Sequence, residues 1–186
     1  MTELRIVRSR RKTLALQVLP TGEIVARAPL RLPERDIHAF AEQHAAWLET
    51  AVARARAGSR AAQRAGILSE AELQRLRTAA QADLTERVTR LAARMGVDFA
   101  GITIRAQRTR WGSCSARGSL SFNCLLMLAP LEVREYVAVH ELCHRKQMNH
   151  SAAFWREVAS CLPDYAAQRA WLREHGPALL GRLPET

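Results

Sequence analysis

The residues of this 186-residue chain best suited to chemistry are His140, Glu141 and His144, which form the pattern His-Glu-x-x-His. On a helix, at ~100° per residue, positions four apart differ by only about 40°, so His140 and His144 project together and can hold one cation. Glu141 lies about 100° round from His140, where it can reach a water on that cation without binding the cation itself. A metal lowers the pKa of such a water towards ~7, and the glutamate can take its proton and return one to a leaving amine. That is the chemistry of amide hydrolysis. The bland alternative is two helical histidines paired with carboxylates or packed beneath a loop, so the surroundings decide.

Those surroundings supply a third ligand. His150 follows His144 by six residues, and three histidines leave one coordination position for water, as a catalytic zinc site requires. Ser151 is a plausible N-cap for a helix over 152–160, which would fix His150 just before it. Glu157 on that helix is the rival third ligand. Asn149 tolerates a left-handed backbone and could make the turn between His144 and His150. Upstream, Val133, Tyr136 and Val137 occupy the stripe that His140 and His144 continue, so the helix opened by Pro130 buries an apolar face that ends in histidines. Glu132 and Glu135 lie near its start, where acids suit the helix dipole.

Other elements must position this helix. Residues 119–124 alternate, with Leu120, Phe122 and Cys124 on one face and Ser119, Ser121 and Asn123 on the other. Main-chain pairing of an extended peptide with this strand would put Ser119, Ser121 and Asn123 in the substrate cleft; an ordinary half-exposed strand is the alternative. Trp111 and Gly112 are candidates for a neighbouring wall, and Tyr136, Tyr165 and His175 for stabilising an oxyanion. Ser69-Glu70-Ala71-Glu72 predicts the start of a long amphipathic helix through Leu73, Leu76, Leu84, Val88 and Leu91 to Gly96, and Ile102 and Ile104 mark a strand.

Residues 3–30 read as strands with a turn at 20–23. Pro33 then opens a helix carrying Ile37, Phe40, Ala41, His44, Trp47 and Leu48, with His44 a packed or boundary residue. Between Ala53 and Gly66 the chain is rich in Ala and Arg, with no large apolar residue. The expected organisation is an N-terminal unit of hairpin plus helix at 1–57, a linker at 58–68 and the main domain at 69–186.

Arg110-Trp111-Gly112-Ser113-Cys114-Ser115, Asn123, Leu128-Ala129-Pro130, His140 to His144, Met148-Asn149-His150-Ser151 and Phe154-Trp155 together resemble the YgjP-like metallopeptidases. That group is similar to the SprT-like and WLM zinc proteases. The resemblance implies an α+β fold: a zincin-like core, with a small β-sheet packed on helices and an active-site helix, carrying an N-terminal β-rich extension. It implies one Zn2+ per chain held by His140, His144 and His150, with Glu141 as general base and a peptide or protein as substrate. In a related zinc peptidase pattern a glycine stands where this chain has Gln147.

Composition bounds the rest. Hydrophobic residues make up 48% of the chain, enough for a packed core. No run of 18 apolar residues occurs, so no membrane span is expected. The N-terminus lacks the pattern of a signal peptide, which makes the cytoplasm the expected compartment. The four cysteines, without Cys-x-x-Cys spacing, are expected as free thiols. Cys114 and Cys143 are the two with positions that could matter to a metal. A net charge of +10 favours acidic partners, nucleic acid among them, and the cluster from Arg8 to Lys12 reads as a solvated strand edge. The alternatives to a peptidase are a nucleic-acid-associated module with a structural or vestigial zinc, and a zinc amidohydrolase acting on a small molecule.

Overall fold

A computed structural model describes residues 4–184. Its architecture is mixed α+β, with two three-stranded sheets and six α-helices among the described residues.

The first sheet is built from β1 (Leu4–Ser9), β2 (Ala15–Val18) and β3 (Ile24–Pro29), in the order β1-β3-β2. The expected hairpin is β2–β3, turning at Gly22 with φ +87°, a conformation glycine adopts without steric cost. β1 adds itself parallel to β3. Arg8 is no bare solvated charge: its guanidinium donates to the carbonyls of Pro29, Leu30 and Leu32 and ties down the exit from β3. Helix α1 (Glu34–Gln43) follows Pro33 as expected. A break at His44, whose ring lies 2.8 Å from the Phe40 carbonyl, then leads into α2 (Ala45–Ala65). Trp47, expected on the apolar face, is half exposed.

The expected linker at 58–68 is instead helical through Ala65, with only 66–69 irregular. Its small residues serve a close helix crossing with the last helix, α6 (Tyr165–Leu180). A Cβ on Gly58 would meet that of Pro177 at 2.6 Å, and one on Gly181 would meet that of Ala62 at 2.8 Å. The Ala/Gly composition that resembles a linker is what lets two helices approach, and alanine and arginine favour the helix by themselves.

Helix α3 (Glu70–Met95) has both expected ends: a reciprocal capping box between Ser69 and Glu72, and Gly96 in the left-handed conformation. Its stripe of Leu73, Ala80, Leu84, Val88 and Leu91 is buried. The second sheet comprises β4 (Gly101–Arg105), β5 (Gly112–Cys114) and β6 (Ser119–Asn123), ordered β4-β6-β5. Leu120 and Phe122 point into the core, as the alternation predicts, whereas Cys124 already begins a buried 3-10 turn over Cys124–Leu128. Helix α4 (Leu131–Cys143) follows Pro130, and α5 (Ala152–Cys161) follows Ser151. α4 is buried on nearly every side, including Ala138 and Val139 at 0% exposure. It is therefore a rigid central mount for the residues at its C-terminal end.

Buried charge fixes α4 against α3. Arg87 donates to both Asp83 oxygens at 2.9 and 3.1 Å and to Glu135 at 3.1 Å. Glu135 is thus a cross-helix partner as well as an early-turn acid. Among the described residues, no helix is long and apolar enough to cross a membrane.

Candidate metal centre

The C-terminal turn of α4 delivers His140 and Glu141, and His144 caps the helix with φ −65°. Because His144 keeps helical backbone, it stays one turn above His140, and the two ring centroids lie 5.1 Å apart. The chain then reverses without left-handed residues: the amides of Lys146 and Gln147 both donate to the Cys143 carbonyl at 3.0 Å. Neither Gln147 nor Asn149 takes the αL conformation expected at one of them. Asn149 instead accepts the Ser151 amide on its side-chain oxygen at 3.2 Å, an Asx turn that sets His150 at the mouth of α5. Ser151 has the extended backbone of an N-cap but makes no side-chain capping bond.

Three imidazoles converge here. One ring nitrogen from each of His140, His144 and His150 lies within 4.8 Å of the others. The Nε2 atoms of His140 and His150 are 3.0 Å apart, near the roughly 3.3 Å that two nitrogen ligands of one tetrahedral zinc would require. His144 donates from Nδ1 to the Gln147 carbonyl at 3.0 Å, which leaves its Nε2 lone pair for a cation. Gln147, where the related pattern has glycine, thus serves through its backbone oxygen. Burial, reinforced by the neighbouring histidines, holds His140 down to about 3 and also lowers His144. Burial thus favours the neutral, metal-binding state of His140 and His144. Phe154 packs against all three rings at 4.6–4.8 Å between centroids. The donor set fits a divalent cation. Glu157, the rival ligand, is instead paired with Lys146 at 3.1 Å.

Glu141 is 5% exposed and sits beside β5, where an added Cβ on Gly112 would come within 2.5 Å of its Oε1. Burial raises its carboxyl to about 8, with Arg110 pulling the other way. Gly112 is thus less a wall than a gap that the carboxylate fills. Trp111 packs on α6, 3.3 Å from the position of a Cβ on Gly176. Tyr136 and Tyr165 lie by the cluster: Tyr136 meets His140 edge-on at 5.8 Å, and the two tyrosines stack at 6.4 Å. His175 packs on Trp171 at 4.6 Å.

The strand expected to bind peptide needs correction. β6 is the central strand, its main chain engaged by β4 and β5, so no peptide can pair along it. Asn123 is 2% exposed; its side chain donates to the carbonyls of Gln107 and Arg110 and accepts from the Leu125 amide. It braces the loop before β5. Ser121 Oγ is buried, while Ser119 is exposed. The strand with a free edge beside Glu141 is β5. Trp111 and Ser115 bond back to β6, so by antiparallel alternation Gly112 and Cys114 turn their amides and carbonyls outward.

Cys143 faces α5, near Cys161 and Glu157, and its thiol is pushed up to about 12, chiefly by burial. Burial also raises Cys114, which lies near Arg145 and Glu141. All four cysteines are free. Arg169 escaped sequence reasoning, and Arg110 was read only as the first residue of the Arg110–Ser115 motif and not as a charge near Glu141; both are exposed arginines in a chain rich in them.

A family model described as YgjP-like, metallopeptidase domain, matches residues 69–175. The chain belongs to the YgjP-like metallopeptidase family. It is similar to the crystal structure of the metallopeptidase zymogen of Pyrococcus abyssi abylysin, at 21% identity and a TM-score of 0.45, over 48% of this chain and 90% of that one. The metallopeptidase zymogen of Methanocaldococcus jannaschii jannalysin gives 18% identity and a TM-score of 0.40, over 47% and 94%. No curated protein sequence matches. Membership of the family makes peptides or proteins the class of substrate, and a metal ion the expected cofactor.

Proposed function

We propose that this protein hydrolyses peptide bonds with one zinc ion held by His140, His144 and His150 and with Glu141 as general base. The observation that carries the reading is the convergence of three imidazole donors beside a buried carboxylate that has no ion-pair partner among the described residues. A zinc ion bound there supplies Lewis acidity towards a carbonyl and lowers the pKa of water. Histidine donors suit zinc, and three of them leave a position free for reactants.

The chain's own groups do the rest. Glu141, pushed into the neutral range by burial, is matched to accept a proton from attacking water and to return it to the leaving amine. Gly112, by lacking a side chain, lets the carboxylate reach forward from α4. The outward amides and carbonyls of Gly112 and Cys114 can align an extended peptide along the β5 edge, which replaces the role first expected of Ser119, Ser121 and Asn123. Tyr136 and Tyr165 remain the aromatic hydroxyls on hand for a developing oxyanion. The zincin-like core is then residues 69–186, with the first sheet, α1 and α2 as its N-terminal extension.

Elemental analysis after exhaustive dialysis tests the site. About one zinc per chain is expected, with loss of most of it in His150→Ala. Retention of full zinc in that variant would remove His150 from the ligand set, and absence of metal from folded wild type would overturn the reading.

A further inference from the structure

One basic residue near the cluster is held differently from the rest of the chain's surplus charge. Arg169 lies on α6 one turn beyond Tyr165, so both present to the same side. Its guanidinium carbon sits 4.5 Å from the centroid of the Trp155 ring. Trp155 in turn stacks on Tyr165 at 5.4 Å and lies 5.8 Å from both His140 and His150. The Arg169 charge is close enough to act on His140 and Tyr136.

Elsewhere the arginines with fixed side chains are used up. Arg87, Arg90 and Arg94 converge on Glu135, Arg134 and Arg145 serve backbone carbonyls, and Arg8 does the same. Arg169 has no carboxylate or carbonyl partner among the described residues. The indole takes one face of the guanidinium and leaves its in-plane N–H donors free. A flat, pre-oriented fork of donors is the arrangement that suits a carboxylate in bidentate fashion.

We propose that Arg169, held on Trp155 beside the histidine cluster, anchors a carboxylate of the peptide substrate and so selects peptides carrying a negative charge next to the bond to be cut. The proposal rests on the peptidase reading above and names the substrate class of that site. The carboxylate has two sources, an acidic side chain or the free C-terminus of the peptide, and both offer the same chemistry. The chain's net charge of +10 favours such ligands in general, so the test must separate this one arginine from the overall field.

The experiment measures equilibrium binding of fluorescent peptides to zinc-loaded Glu141→Gln protein, which removes turnover from the readout. Three peptides share one sequence: a neutral, C-terminally amidated parent, the same peptide with one Gln replaced by Glu, and the parent with a free C-terminus. At least one carboxylate peptide is expected to bind about tenfold more tightly than the parent, in keeping with a charge-assisted bond at a partly wet site. That advantage should vanish with Arg169→Gln, persist in part with Arg169→Lys and survive Arg173→Gln, an exposed arginine one turn further on. The better carboxylate peptide identifies the source. Equal binding of all three peptides, an equal loss for all of them with Arg169→Gln, or an equal effect of Arg173→Gln would overturn the anchor. Cleavage of the same peptides by wild type is scored separately. Hydrolysis without acidic preference sinks the anchor alone, while preference without hydrolysis by wild type sinks the peptidase reading and leaves the anchor standing.

Discussion

Replacing Gly112 with alanine probes the site without substituting any candidate ligand or the base. The added Cβ would lie 2.5 Å from Glu141 Oε1, 2.7 Å from its Cγ and 2.8 Å from its Cδ, where ordinary contact begins at 3.4 Å. Either the carboxylate or the β5 backbone must therefore give by about 1 Å, a misplacement that costs on the order of 10²-fold in a catalytic step. Gly112 does not occupy a left-handed conformation, so the effect is steric contact and not backbone strain. The three histidines lie elsewhere on α4 and before α5 and are unaffected. The expected result is near-wild-type zinc content and thermal stability within about 1 kcal/mol, with kcat/KM on a peptide substrate down roughly 100-fold. Ser113→Ala, one residue along the same strand, is the control and should retain activity. Full activity in Gly112→Ala would refute the claim that a side-chain gap on β5 sets the position of Glu141.

Two further outcomes follow from buried charge. Arg87→Ala removes the buried cation that bridges Asp83 and Glu135 and leaves them only the longer pairs with Arg134, Arg90 and Arg94, so it should cost about 2 kcal/mol in urea unfolding; a loss under 0.5 kcal/mol would mean the network is dispensable. In metal-free protein, Glu141 has a folded-state pKa of about 8 against an ordinary 4.5. Its contribution to stability is therefore fully present below pH 4.5 and is lost as pH rises towards 8, at up to about 1.4 kcal/mol per pH unit. Metal-free Glu141→Gln should accordingly match wild type near pH 4.5 and exceed it at pH 8 in chelator-treated samples. A difference independent of pH would show that burial does not hold the carboxyl protonated.

How much of this was legible in the sequence depends on the range of each signal. Local signals carried well: the capping box at Ser69, the left-handed Gly96, the turn at Gly22 and the helix spacing of His140 and His144 are each written within five residues. His150 was legible as a spacing, but the turn that delivers it was not. Successive helical turns, an Asx bond from Asn149 and the Gln147 carbonyl replace the left-handed residue expected there. The linker at 58–68 misled because small residues read alike whether a segment is loose or closely packed, and the partner that decides, α6, lies over 100 residues away. Strand order was hidden for the same reason. Alternation gave the faces of β6 but not its neighbours, so Asn123 looked like a cleft residue when it braces the 107–111 loop. Arg169 acquires meaning only through Trp155, on another helix.

The most direct test of the central claim is the turnover number of Glu141→Gln, measured on one peptide substrate beside wild type at matched zinc content. General-base catalysis by this residue predicts unchanged zinc and a kcat reduced by about 10²–10⁴-fold. A kcat within twofold of wild type at equal zinc would contradict it.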